Sequence, residues 1–546
     1  MFRFNALSSA ALALTLGISA CGGNSNGDAP APVPSPVVMV PVGDTIALTT
    51  SGRLISFNRE TPGTQVGSVA VTGLAGAETL LGIDIRPANG ALYALGSNGG
   101  IYRIDPATGV ASLSSTLRAA VGDDNPYTGL TGTSFGVDFN PVPDRLRVVS
   151  NTGQNLRIDV ETGDAITDGA IAPAAAVSAS GYTNAFPGAT STRLFNLNLA
   201  SNTLDLQNPP NDGTLVSGPP LGVTATAANG FDIDGRNNTG YAALTVGGAT
   251  SLYRINLAAT APTAAATLIG AIAGGEGIRG LALVQPGAMN VTGLTADNRL
   301  VGIDARNPNT LTSNVAISGL NAGERILGID VRPADLQLWA LSNTARLYTL
   351  NPTTGAATFR VALSADPTDT TAPFTTLDGS TTLSVDFNPA ADRLRVVSPA
   401  GQSLRINVTT GATTTDGVIN RASGAASVLA AAYGNNFAGT TATTLFDLDG
   451  NADVLAIQNP PNDGTLTNVG ALGVDIAGAV AFDIAGGDNG LVLAAVRSGI
   501  AGPFSLQTIS LTTGTVTPYL NTSGNAALSQ IGGASGPVLI DIAIRP

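Results

Sequence analysis

SFGVDFNPVPDRLRVVSNTGQNLRIDVETGDAITDGAI, residues 134–171, returns as LSVDFNPAADRLRVVSPAGQSLRINVTTGATTTDGVI at 383–419. Outward from this pair, LLGIDIRPANGALYAL (80–95) returns as ILGIDVRPADLQLWAL (326–341), and LQNPPNDGTL (206–215) as IQNPPNDGTL (457–466). The copies run parallel at an offset of about 250 residues, and a repeat of this kind fixes the architecture before any local assignment. The chain is a tandem duplication.

Each copy is itself periodic. ALYAL-GSNGG-IYRID-PATG (91–109) and DRLRVVSNTGQNLRIDVETG (144–163) alternate apolar and polar residues across two short segments joined by a polar turn. Period-2 alternation rich in β-branched and aromatic residues marks strands. In PATG (106–109) and PTTG (352–355) the proline sets a turn, and the closing glycine accepts positive φ at no steric cost. Another apolar segment is read as ending each unit: GIDIRP (82–87), GVDFNP (136–141), GFDIDG (230–235), GIDVRP (328–333), SVDFNP (384–389), AFDIAG (481–486) and IDIAIRP (540–546). On that reading the chain begins with a first strand and ends with a last one, so ring closure need not exchange a strand between the ends. Units of four strands recur about every 50 residues, the period of a β-propeller blade. The expected fold is all-β, a β-propeller of ten four-stranded units. Because propellers close with about four to eight blades, two five-bladed rings are expected, with one ten-bladed ring as the alternative.

The N-terminus reads as an address. Arg3 and an apolar stretch from Ala6 to Ile18 are too short to span a bilayer and fit a signal peptide at 1–20. Ile18-Ser19-Ala20-Cys21 resembles a bacterial lipobox, which implies cleavage before Cys21 and its lipidation. Residues 21–40, rich in Gly, Pro and Ser, read as a tether. The first propeller repeat is placed at 41–286 and the second at 287–546. The expected location is extracytoplasmic and lipid-anchored, at the outer membrane because Gly22 is not the aspartate that retains some lipoproteins at the inner membrane.

Composition excludes much chemistry. There is no histidine, and all 25 basic residues are arginine. Histidine-based triads, Schiff-base lysines, the P-loop lysine and histidine metal sites are therefore absent. The net charge is −13, and removal of residues 1–20 takes away Arg3 and no acid. That balance argues against nucleic acid as a partner. Cys21 is the single cysteine, so no intramolecular disulfide forms.

The string FGVDFNPxxDRLRVVSxxGQNLRI, which the second copy repeats as LSVDFNPxxDRLRVVSxxGQSLRI, and QNPPNDGTL, present in both copies, resemble the bacterial domain-of-unknown-function family 4394. The resemblance implies an extracytoplasmic β-rich domain and carries no catalytic residues with it.

Four features invite a functional reading. Aspartate recurs in the GIDIRP-like segments at Asp84, Asp138, Asp232, Asp330, Asp386, Asp483 and Asp541; a ring of carboxylates around a channel would suit a cation or a sugar. Their structural reading is acceptance of backbone N–H bonds at blade corners, or pairing with arginine between blades. Arg145 and Arg147, with Arg393 and Arg395 in the second copy, lie on one face of a strand. They are candidate clamps for an anionic ligand. Asp447, Asp449, Asn451 and Asp453 space oxygen ligands two apart, as a calcium loop does, although a hairpin explains the same spacing. Asn-Pro-Pro-Asn-Asp-Gly (208–213 and 459–464) is a rigid double turn whose amides could meet a ligand. The expected function is a non-enzymatic binding or scaffold module without a required cofactor, meeting the membrane through its lipid and taking an envelope protein or glycan as partner. The alternatives are a calcium-dependent propeller hydrolase or lyase, and a subunit of an envelope complex.

Overall fold

The computed structural model describes residues 39–173, 176–284, 290–476, 480–497, 502–519 and 526–545. The signal peptide, Cys21 and the tether up to residue 38 lie outside them. Regular structure among the described residues is β-strand, apart from short 3-10 turns. Among the described residues no helix is long and apolar enough to cross a membrane.

Among the described residues the strands form ten sheets of four or five strands, mainly antiparallel. The expectation of four strands per sheet holds for seven. Three sheets carry a fifth, two-residue strand: Arg118–Ala119, Ser364–Ala365 and Asn420–Arg421 run parallel to the outermost strand and cover its free edge. The innermost strands of the first copy are Leu80–Arg86, Phe135–Asn140, Val177–Tyr182, Ala227–Asp234 and Ile278–Leu283. Each neighbours the next, and Ile278–Leu283 returns to Leu80–Arg86. In the second copy, Ile326–Val331, Ser384–Asn388, Val428–Tyr433, Val480–Ala485 and Leu539–Arg545 form the same closed cycle.

The reading of strand order is corrected in one respect. Six of the seven GIDIRP-like segments do not end their units; they are the inner strands that begin the following sheets, and only the last, on Leu539–Arg545, comes at the end of its copy. Leu80–Arg86 pairs with Ala91–Gly96 through a tight turn in which Arg86 faces Ala91. The loop before Leu80 is longer, and a strand pairs first with the neighbour reached by the shorter turn. The first sheet of each copy therefore takes its inner strand from the copy's far end. Ile278–Leu283 pairs with Thr45–Thr49, and Leu539–Arg545 with Asn290–Thr295. Each ring is closed by exchange of a strand between its two ends.

Turn chemistry follows the sequence. Gly109 and Gly355 adopt φ of 74° and 72°, and the Gly109 N–H donates to Asp105 O at 2.8 Å. The core sits between the faces of adjacent blades. Tyr93, Leu95 and Ile101 of one blade pack on Phe135, Val137 and Phe139 of the next, with Tyr93 and Phe139 edge-to-face at 5.5 Å. Trp339 and Phe387 repeat the contact in the second ring at 6.2 Å.

Candidate functional site

Alternation on the inner strands directs one side-chain row toward the middle of each ring. The recurring aspartates occupy this row. Asp84, Asp138 and Asp232 each present one carboxylate oxygen, and the three oxygens lie within 4.8 Å of one another. Asp330, Asp386 and Asp483 form the same cluster in the second ring. All six are buried.

The backbone of the neighbouring inner strand supplies their hydrogen bonds. Phe139 N donates to Asp84 at 2.7 Å, Tyr182 N to Asp138 at 2.9 Å and Leu283 N to Asp232 at 2.6 Å. In the second ring Phe387 N, Tyr433 N and Ile544 N donate to Asp330, Asp386 and Asp483 at 2.7, 2.9 and 2.5 Å. The aspartates thus stitch blade to blade, as the backbone-accepting reading expected. The suggested pairing with arginine is not observed for them: Arg59, which Asp232 feels electrostatically, is bonded to Asp44 and Asp234.

Burial, reinforced by the neighbouring carboxylates, holds Asp84, Asp138, Asp330 and Asp386 well above the usual carboxylate range. Burial pushes Asp232 and Asp483 up to about 7. One oxygen on each of two members, Asp138 Oδ2 and Asp483 Oδ1, is buried without a hydrogen-bond partner. Asp541 is a fourth carboxylate of the second ring. It accepts Ile329 N at 2.8 Å across the seam between the last and first inner strands. The first ring has Gly280 at that position, where a Cβ would come within 2.9 Å of Ile83 N.

The arginine pairs divide by burial. Arg147 is 1% exposed. Its guanidinium donates to Tyr182 Oη at 3.1 Å, Asn155 Oδ1 at 2.9 Å, Asp168 at 2.6 Å and Asn211 Oδ1 at 2.7 Å. Arg395 repeats this with Tyr433, Ser403, Asp416 and Asn462. Asn211 and Asn462 belong to the Asn-Pro-Pro-Asn-Asp-Gly loops, so two conserved-looking strings of the repeat are halves of one contact pinning adjacent blades. Arg145 reaches Asp159 at 3.2 Å, and Arg393 donates to the carbonyl of Asp392 at 3.1 Å.

Asp447, Asp449, Asn451 and Asp453 lie on a strand, Leu445–Asp449, and the turn after it. Asp449 pairs with Arg421 at 2.7 Å, Asn451 donates to Ala425 O at 3.2 Å, and Asp453 accepts Ile476 N at 3.0 Å. Asp447 is fully buried with neither oxygen hydrogen-bonded, and burial pushes it up to about 8. These aspartates are not among the carboxylate groups that converge in the described residues.

A cleft between the rings has no signal in the repeat, because it is built where the copies differ. The loop after Tyr182 carries Phe186, fully buried in a core with Ala485, Leu491 and Tyr519 of the second ring. Thr190 N donates to Gly490 O at 2.7 Å, and Tyr519 Oη to Gly188 O at 2.9 Å. The counterpart of Phe186 is Phe437. It is half-buried and lines a cavity of about 550 Å³ with Arg59, Arg236, Asn237 and Tyr241 of the first ring and Leu336 of the second. A neighbouring cavity of about 480 Å³ lies on Phe437 as well, lined by Arg193, Asn238 and Arg254. Arg59 stacks 5.1 Å from the Tyr241 ring and bonds Asp234 at 2.5 Å, so the cleft joins a charged floor to aromatic walls. Divergence between YTNAFPG (182–188) and YGNNFAG (433–439) was the available sequence clue.

Closed cycles of radially arranged antiparallel sheets define a β-propeller protein. The chain belongs to the family described as domain of unknown function (DUF4394), whose model matches residues 53–282 and again 299–532. No match is found among curated proteins. Solved structures similar to it include the Dos1 propeller (12% identity, TM-score 0.22, covering 65% of this chain and 90% of that one). A structural genomics protein of unknown function from Bacteroides thetaiotaomicron is 13% identical at TM-score 0.24, covering 78% of this chain and 99% of that one. BamB from Moraxella catarrhalis is 12% identical at TM-score 0.19, covering 76% and 92%. At such scores none of the three bears on the function of this chain.

Proposed function

We propose that the protein is a non-enzymatic binding module of the cell envelope, held by a lipid on Cys21, whose ligand seats in the cleft between the two rings. The observation that carries this reading is the cleft itself. Its volume of about 550 Å³ falls in the range of small-ligand sites, and both copies line it at positions they do not share. A glycan suits its chemistry, since the half-buried ring of Phe437 offers apolar stacking beside the hydrogen-bonding groups of Asn237 and Arg236. The axial carboxylates are buried and backbone-bonded, so the reading rests on the cleft and not on them.

A panel of envelope oligosaccharides, screened by thermal shift, tests the site. At least one should raise the Tm of the wild type and fail to do so for Phe437→Ala or Arg236→Ala. Equal shifts in wild type and both variants would place the ligand elsewhere, and no shift across the panel would remove the glycan reading. For the anchor, Cys21→Ser should move the protein from the membrane fraction to the soluble fraction.

A further inference from the structure

In the middle of each ring the carboxylate oxygens of three buried aspartates converge. In a low-dielectric interior, like charges within 5 Å repel strongly, and a buried charge persists only when paired or metal-bound. The backbone amides around them favour the charged form: Ile85 N and Phe139 N both donate to Asp84, Ile233 N and Leu283 N to Asp232, and Val331 N and Phe387 N to Asp330. Among the described residues no arginine forms an ion pair with these six carboxylates, although Arg59 acts on Asp232 from a distance.

Independently of the clustering, a polar side chain in each ring is left incomplete. Asp138, 2% exposed, has Oδ2 without a partner, while Oδ1 takes Tyr182 N. Asp483, also 2% exposed, has Oδ1 without a partner, while Oδ2 takes Ile544 N. A buried carboxylate oxygen with nothing to accept costs free energy unless a ligand completes it. The bonded oxygens keep a second lone pair for ligation.

We propose that each ring binds one divalent cation of the calcium type at its axis, through Asp84, Asp138 and Asp232 in the first and Asp330, Asp386 and Asp483 in the second. The ligand set selects the ion. Three oxygens within 4.8 Å of one another leave a central ion no more than about 2.8 Å from each, which accommodates calcium's 2.3–2.6 Å, whereas magnesium keeps several waters and is usually held by only one or two carboxylates. Carboxylate oxygens are hard ligands and suit calcium over thiophilic metals. The second ring adds the charge of Asp541 beside Asp483 and is expected to bind the tighter ion. This inference does not depend on the glycan cleft: the ion fixes the ring, whether or not a ligand enters between the rings.

The full chain, stripped with EDTA and re-equilibrated with calcium, tests it by counting bound metal. The wild type should hold two calcium ions, Asp138→Asn and Asp386→Asn one each, and the double variant none. Asparagine keeps the shape and the oxygen acceptor, and circular dichroism verifies folding. Calcium at a hundredfold excess over Kd should raise the wild-type Tm on the order of 5–10 °C, magnesium much less, and neither should move the double variant. A folded wild type that binds no calcium would overturn the proposal. So would a double variant that retains both ions. Stabilisation by low pH alone, with no calcium bound, would assign the clusters to shared protons and equally reject it.

Discussion

The loop at 183–190 in the first ring and its counterpart at 434–441 in the second begin from the same sequence frame and end in opposite surroundings. Phe186 is locked into the core of the neighbouring ring, while Phe437 stands half-buried at the wall of a cleft. The duplication has joined its two products by one loop and left the equivalent loop free to form a pocket. A similar split appears within the blades. Asn196 of the first ring accepts Ser180 Oγ at 2.6 Å and donates to Gln207 Oε1 at 2.8 Å. Its counterpart Asp447 faces Ala431 and Gln458 at those positions, and neither its carboxylate nor Gln458 Oε1 has a partner. Ring one satisfies this network with an amide; ring two does so only with a protonated acid. Identical folds therefore carry different electrostatic constraints.

The contrast between the loops gives the largest expected effect. Phe186→Ala should cost roughly 3–5 kcal/mol, as for other buried phenylalanines, and should split calorimetric unfolding into two transitions as the rings uncouple. Phe437→Ala should cost less than about 1 kcal/mol and leave one transition; equal effects would erase the distinction. The electrostatic contrast comes next. A folded-state value of about 8 for Asp447 means that the native protein holds a proton the unfolded chain releases near pH 4. Stability from this group is complete below the ordinary carboxylate range and drains away as pH rises toward 8. Asp447→Asn should therefore be more stable than wild type by on the order of 2–4 kcal/mol at pH 8 and indistinguishable near pH 3.5. Denaturant titrations at the two pH values check this, and Asn196→Asp should import the same pH dependence into the first ring. The smallest effect concerns the seam. Gly280→Ala places a Cβ against Ile83 N and should cost about 1–2 kcal/mol, with a shift in the urea midpoint as its measure.

Much of the fold was legible because its causes are local. Alternation gave the strands, and Pro-x-x-Gly turns gave the hairpins; Gly109 and Gly355 adopt the positive φ those turns require. Strand pairing was misread by one place because alternation does not say on which side of a strand its partner lies. That choice is made by loop length and by contacts between Thr45–Thr49 and Ile278–Leu283, far apart in sequence. The carboxylate site was half legible. The repeated aspartate was visible, but Asp84, Asp138 and Asp232 meet only when the ring closes. The apparent calcium loop at Asp447 illustrates the converse. Residues two apart on an extended strand are separated by roughly 6.6 Å, so linear spacing that would converge in a loop diverges on Leu445–Asp449. The cleft could not be read from the repeat, since a repeat displays only what its copies share.

Closure by an end strand also sets an order of events during synthesis. The first ring can be sealed once Leu283 has emerged, because its partner strand Thr45–Thr49 is already present. The second ring waits for Leu539–Arg545, which closes it. Throughout that interval Asn290–Thr295 offers an unpaired edge, and the nascent second ring is the part of the molecule that needs protection from aggregation.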